Sequence, residues 1–178
     1  QEGVSFTNAF CQNPVCVPSR CSFLSGLYPH TLGHRTMHFL QNEDEPNILR
    51  VMKENGYEVI WCGRNDVIPA DRDKAAYCDE FFSGMDLEAM RRYAEHMKTH
   101  DAGKKSADPS ADGYYSFYTG DVTGKPGMES MDDKIVAYAM DYLDRKSAEN
   151  NGKPFFLYVS LGLPHPPYGC AHPFYGLT

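Results

Sequence analysis

The segment CVPSRCSFLSG, residues 16–26, combines residue types that could do chemistry. Pro18 suits the first turn of a helix, and this places Cys16 at the helix N-terminus. The free backbone N–H groups and the helix dipole favour an anion there, a thiolate included. Arg20 follows about one turn later and can fold back toward the same spot. The segment therefore indicates a nucleophile beside an anion site. The alternative is a cysteine that packs as a small hydrophobe, next to a solvated arginine.

The elements around this segment follow the order strand, helix, helix, strand, which is typical of α/β domains. Alternating apolar residues predict a first strand over Val4–Phe10. Proline and glycine signals favour a helix over residues 18–26 and a second helix over residues 46–56. The segment Tyr57–Cys62, which contains the apolar run VIWC, then predicts a buried strand.

The second half of the chain separates into a polar region and a regular one. Residues 69–127 are predicted to be an insertion over the sheet edge, with a helix candidate over Leu87–Met97 and a strand candidate over Tyr114–Tyr118. Beyond it, Asp132 or Asp133 is expected to cap a helix whose apolar face comprises Ile135, Val136, Ala139, Met140 and Leu143. Phe155–Leu161 predicts a central strand covered on both faces, and GLPHPPYG ends it where α/β sheets bind ligands.

The composition excludes some classes of protein. The formal net charge of −7 argues against a nucleic-acid-binding surface, and the apolar fraction of 42% is that of a globular protein. No apolar run approaches the ~20 residues of a membrane span. The six cysteines never form the CxxC spacing of a zinc site.

The residue pattern from Cys16 onward resembles the signature of type I sulfatases, of the alkaline phosphatase superfamily. The family pattern is C-x-P-S-R-x-x-x-L-T-G, and this chain departs from it at one fixed position, where Ser25 replaces threonine. The positions that match are Cys16, Pro18, Ser19, Arg20, Leu24 and Gly26. The flanking segments GVSFTNAF and LYPHTLGHR are also similar to the family.

This resemblance implies a fold, a modified residue and a metal. The expected fold is an α/β alkaline-phosphatase-like sandwich, with a central mixed sheet flanked by helices, of which residues 1–178 are the incomplete N-terminal catalytic part. A formylglycine-generating enzyme would read Cys16, Pro18 and Arg20 as a maturation motif and oxidise Cys16 to formylglycine. Arg20 would stabilise that nucleophile, and the hydrated aldehyde would ligate a divalent cation, usually Ca²⁺. The other metal ligands are expected outside this chain.

Two further matches concern the sulfate group. His165, in PHPPY, corresponds to the family histidine that contacts sulfate and is therefore a predicted catalytic and substrate-binding residue. Where many sulfatases have G-K-x-H, this chain has Gly63-Arg64-Asn65-Asp66. Arg64 keeps the positive charge and is predicted to clamp sulfate oxygens, but it is a poor proton donor. Asn65 or Asp66 is expected to contact the substrate instead. The other histidines, His34 among them, are expected to be structural or surface residues.

The resemblance implies hydrolysis of sulfate monoesters, either aryl sulfates or sulfated carbohydrates, by the intact enzyme, with the present chain inactive alone. A formylglycine-dependent phosphonate or phosphate ester hydrolase is the nearest alternative. A degenerate homologue that binds sulfated glycans without cleaving them is another, and a redox or zinc-thiol module is a remote third.

Overall fold

The computed structural model describes residues 3–85, 91, 95, 118–121, 123, 128–149, 151–165 and 168–175. Their helices are α1 (Cys16–Ser25), α2 (Ile48–Glu54) and α3 (Met128–Glu149), with short 3₁₀ turns at Pro29–Thr31 and Lys74–Ala76. Their strands are β1 (Glu58–Gly63), β2 (Glu80–Phe82), β3 (Tyr118–Asp121), β4 (Phe155–Ser160) and β5 (Tyr168–Cys170). The predicted α/β architecture is confirmed.

The main sheet is parallel, with the strand order β2-β1-β4. The amide of Glu58 donates to the carbonyl of Pro154, and the amide of Arg64 donates to the carbonyl of Ser160, so β1 and β4 run in the same direction in one constant register. A second sheet pairs β3 with β5, also parallel. Among the described residues, the antiparallel member of a mixed sheet is therefore not seen.

The most deeply buried strand is β1 rather than β4. Val59, Ile60, Trp61 and Cys62 are fully buried, as the apolar run predicted. The expectation that Phe155–Leu161 is covered on both faces is wrong for the described residues, because most of β4 is half-exposed or exposed. In the strand order, β1 has a neighbour on each side, whereas β4 ends the row. An apolar run predicts that a strand is buried, but it does not predict the position of that strand in the sheet.

The predicted strand over Val4–Phe10 is also wrong. The segment has no strand geometry, and Val4, Phe6 and Phe10 are 82%, 80% and 90% exposed. Alternation of apolar residues yields a strand only where a neighbouring strand accepts its ladder hydrogen bonds. In the part of the chain that the structure describes, no strand pairs with this segment.

The first two helices begin and end close to the predicted signals. Pro18 lies in the first turn of α1, and Gly26 ends it with a left-handed φ of 74° while its N–H donates to the carbonyl of Ser22. Helix α2 is capped by Asn47, whose side chain accepts from the amide of Leu49. Both helices therefore follow from local sequence.

Helix α3 differs from its prediction in start and in face. It begins at Met128, so Asp132 and Asp133 lie inside it and cap nothing. Ile135 and Ala139 are buried as expected, together with Tyr142, whereas Val136, Met140 and Leu143 are exposed. The buried stripe is therefore turned away from part of the predicted face.

Contacts divide the chain into two compact units. The first comprises residues 1–60, 65–81 and 152–156, and the second comprises residues 61–64, 82–151 and 157–178. Most of the predicted insertion lies outside the described residues. Of the strand candidate Tyr114–Tyr118, only Tyr118 is described. Of the helix candidate Leu87–Met97, only Arg91 and Glu95 are described, and both are helical. Where the structure is described, no helix has the length and hydropathy needed to cross a bilayer.

Candidate active site around Cys16

Cys16 is the first residue of α1, at an open helix N-terminus. The residue before it, Val15, is extended and offers no side-chain cap, and the first turn contains no acidic residue. The helix ladder begins when the amide of Ser19 donates to the carbonyl of Val15 at 2.9 Å. The first-turn amides and the positive end of the helix dipole therefore have no competing carboxylate from the helix itself.

The two cysteines of α1 have different environments. All six cysteines of the chain are free thiols, and Cys16 is half-buried whereas Cys21 is fully buried. Burial, followed by the nearby Glu45 carboxylate, raises the pKa of Cys21 to about 12, against a smaller opposing effect of a hydrogen bond at the Gln41 backbone. Because the thiolate is the reactive form, Cys21 is an inert core residue. Of the two, only Cys16 can meet a reactant.

A methionine from the following loop contacts Cys16. Sδ of Met37 lies 3.0 Å from Sγ of Cys16. The loop is closed by buried His34, whose Nδ1 lies 2.7 Å from the carbonyl oxygen of Phe39 and whose Nε2 lies 2.7 Å from a carboxylate oxygen of Glu45. His34 thus has a structural role, as expected, and Met37 is held within a loop of defined shape.

Arg20 is paired with Asp66. Nε of Arg20 lies 3.3 Å from Oδ2 of Asp66, with the two side chains 23% and 17% exposed. The sequence suggested Asp66 only as an alternative substrate contact. No local pattern signals the pair, because Asp66 belongs to the loop after β1, far from α1 along the chain.

Asn65 uses its side chain within its own loop. Its Oδ1 accepts from the amides of Val67 and Ile68 at 3.2 and 2.8 Å, and its Nδ2 donates to the carbonyl of Ile68 at 2.7 Å. These bonds build an Asx turn that fixes the chain immediately after β1. Contact between Asn65 and a substrate stays a prediction.

Arg64 and His165 belong to the second unit, whereas Cys16, Arg20 and Asn65 belong to the first. The Arg64 backbone extends the sheet ladder, since its amide donates to Ser160 and its carbonyl accepts from Nε1 of Trp61. His165 follows the end of β4, and its amide donates to the carbonyl of Gly162 at 2.9 Å. Both side chains are half-buried.

A buried carboxylate fixes the turn that carries His165. Oδ1 of Asp132 accepts from the amide of Gly162 at 2.6 Å, and Oδ2 accepts from the amide of Leu163 at 2.9 Å. Asp132 comes from the inside of α3 and is nearly inaccessible to solvent. The sequence predicts a helix cap at Asp132 or Asp133, because acidic residues favour that position. Its partners lie some thirty residues further on and give no local signal.

The described residues do not supply a complete cation site. Among them, no group of three histidine, cysteine or acidic side chains is arranged to hold a metal ion. Cys16 is the single ligand that the sequence predicts in this chain, and one ligand does not make a site.

Comparison with known proteins agrees with the motif. A family model described as Sulfatase matches residues 1–176. Arylsulfatase K of Xenopus laevis is 29% identical over 166 residues, which cover 93% of this chain and 27% of that protein. N-acetylglucosamine-6-sulfatase of Bos taurus is 27% identical over 190 residues, which cover 95% of this chain and 29% of that protein.

An ulvan-active sulfatase of Formosa agariphila is 27% identical over 172 residues, which cover 96% of this chain and 30% of that protein. The chain thus spans less than a third of the length of these curated relatives. The family model, in contrast, matches nearly every residue of the chain. The chain therefore belongs to the sulfatase family, within the alkaline phosphatase superfamily.

Proposed function

We propose that the intact protein hydrolyses sulfate monoesters with a nucleophile formed from Cys16. The observation that carries the proposal is the position of Cys16 as the first residue of an uncapped helix, with Arg20 one turn later in the family's order. The relatives are named for action on aryl sulfates, N-acetylglucosamine-6-sulfate and ulvan. Aryl sulfates and sulfated carbohydrates are accordingly the proposed substrate classes.

Family membership suggests formylglycine at the nucleophile position, and the proposal places it at residue 16. The Sγ atom of Cys16 stands where the aldehyde oxygen would be. The hydrated aldehyde would supply one hydroxyl to attack sulfur and a second whose deprotonation re-forms the aldehyde and expels sulfate. Maturation would require a formylglycine-generating enzyme that reads Cys16, Pro18 and Arg20.

The other proposed site residues bind the sulfate group or orient residue 16. Arg20 stabilises residue 16 from the same helix. His165 contacts the sulfate group and Arg64 clamps its oxygens as a fixed cation, because a guanidinium stays protonated at neutral pH. Arg64 therefore cannot donate a proton to the departing alcohol, and that proton must come from elsewhere. Asn65 remains a candidate substrate contact.

Family membership also suggests a divalent cation, and the proposal is Ca²⁺. Sulfate esters and an aldehyde hydrate present oxygen ligands, which hard cations prefer. Residue 16 would supply one ligand, and the remaining ligands would come from parts of the protein outside this chain. The described residues alone do not form a site for this ion.

The chain is proposed to be the incomplete N-terminal part of the catalytic domain, with an insertion around residues 69–127. Variation among loops at the rim of a site usually decides specificity. The insertion is therefore the proposed origin of the choice between aryl and carbohydrate substrates.

The test is made on the intact protein, expressed in its own host. The mass of the peptide that contains residue 16 is measured by mass spectrometry, to detect replacement of the thiol by an aldehyde. Release of para-nitrophenol from para-nitrophenyl sulfate is then followed for wild type and for Cys16→Ala. We expect formylglycine at residue 16 and turnover that C16A abolishes. An unmodified thiol in the native protein, or unchanged turnover in C16A, would overturn the proposal.

A further inference from the structure

The ion pair between Arg20 and Asp66 is partly withdrawn from solvent. Its side chains are 23% and 17% exposed, whereas those of the surface pair of Arg145 and Asp141 are 44% and 65% exposed. Salt and water screen a shielded pair less than a surface pair. The pair joins the helix that begins at Cys16 to the loop that follows β1.

The loop that carries Asp66 is fixed independently of Arg20. Its start is held by the Asx turn of Asn65. Further along, the ammonium group of Lys74 donates to three carbonyl oxygens within residues 69–72, at 3.0, 3.2 and 3.0 Å. Nη1 of Arg72 donates to the carbonyl of Gln41 at 2.9 Å, which ties the loop to the segment before α2. Asp66 is therefore an anion at a fixed place.

A carboxylate at a fixed position limits the orientations that the side chain of a neighbouring arginine adopts. The contact at Nε is an ion pair and not a hydrogen bond. Because the guanidinium is planar and rigid, the pair favours those orientations of the whole group that keep Nε near the carboxylate. An arginine without such a partner samples many rotamers, and restricting it before the reaction is what positioning residues do. Arg20 follows the proposed nucleophile, residue 16, by about one turn of the same helix.

We propose that Asp66 is a positioning residue that holds the guanidinium of Arg20 beside residue 16. The inference rests on the proposed function, in which Arg20 stabilises formylglycine. A fixed carboxylate also lowers the positive charge around residue 16. It repels a doubly charged phosphate monoester more strongly than a singly charged sulfate ester, and so favours sulfate.

The test compares Asp66→Asn, Asp66→Glu and, as a matched control, Asp71→Asn, an exposed acid in the same loop. Each intact protein is checked for formylglycine at residue 16 and assayed with para-nitrophenyl sulfate and para-nitrophenyl phosphate. We expect D66N to lower kcat on the sulfate about tenfold to a hundredfold, with a smaller change in KM. We expect D66E to recover part of that loss and D71N to match wild type.

Charge selectivity separates positioning of Arg20 from a general loss of structure. The ratio of kcat/KM for phosphate to that for sulfate should rise in D66N, whereas a merely unfolded fraction lowers both rates equally. A kcat within twofold of wild type, or an unchanged ratio, would overturn the proposal.

A second measurement separates this inference from the proposed function. Since Arg20 belongs to the proposed maturation motif, Arg20→Ala, D66N and the double variant are compared by thermal unfolding alone. We expect the two single effects to be non-additive, because each removes the same interaction. If mature wild type cleaves no sulfate ester, the proposed function fails and the effect of Asp66 on turnover fails with it. The thermal coupling still tests whether Asp66 holds Arg20, and additive effects would reject that.

Discussion

The carboxylate of Asp132 offers the sharpest test of how the turn with His165 is built. Its two oxygens accept from the amides of Gly162 and Leu163, and the side chain is buried. Hydrogen bonds to charged groups contribute about 1.5–3 kcal/mol each. Asp132→Ala removes both acceptors and leaves two amides without them, so we expect a loss of about 3–5 kcal/mol in the free energy of unfolding. Asp132→Asn keeps one carbonyl acceptor and should lose about half as much.

The assay is urea unfolding of the intact protein together with deuterium exchange of the peptide that covers residues 157–165. Asp133→Asn is the matched control, because Asp133 is exposed on the same helix. It should change stability by no more than about 0.5 kcal/mol. Exchange at Gly162 and Leu163 should accelerate in both Asp132 variants but not in D133N. A loss below about 0.5 kcal/mol in D132A, or unchanged exchange, would refute the reasoning.

Two other predictions concern backbone space and thiol reactivity. A Cβ on Gly63, whose φ is 107°, would lie 1.9 Å from the carbonyl oxygen of Ser160, so Gly63→Ala should lower stability by about 3 kcal/mol or more. Gly152→Ala, with φ at 68° and open space around the added carbon, should cost only about 1 kcal/mol, and equal losses in thermal unfolding would contradict this. Under native, mildly alkaline conditions, iodoacetamide should modify exposed Cys11 and spare Cys21, whose pKa of about 12 and burial keep it protonated and hidden. Comparable labelling of the two in a mass spectrum would count against the burial of Cys21.

Local signals were sufficient to predict the helix that begins at Cys16 and the buried strand β1. A proline in the first turn and a glycine after the last residue place α1, and an unbroken apolar run places β1. These signals act through backbone geometry and desolvation within a few residues, so they can be read without knowledge of the fold. The placement of Cys16 at a helix N-terminus follows from them.

Features that depend on distant partners could not be read in the same way. The Val4–Phe10 segment has the alternation of a strand, but strand formation requires a neighbour that the segment cannot specify. Asp132 is of a residue type that favours helix N-caps, yet its side chain accepts hydrogen bonds from a turn in another part of the chain. The pairing of Arg20 with Asp66 likewise depends on how the loop after β1 approaches α1.

Lys74 has a consequence for anyone who attaches a label to this protein. Its ammonium group satisfies three backbone carbonyls, and acylation would remove the charge and leave a single N–H donor. The turn it supports would then loosen, although no atom of the label touches Cys16. Amine-reactive dyes, aldehyde fixation and lysine-coupled resins are therefore unsuitable for handling the protein, whereas attachment through an exposed thiol such as Cys170 leaves these three bonds intact.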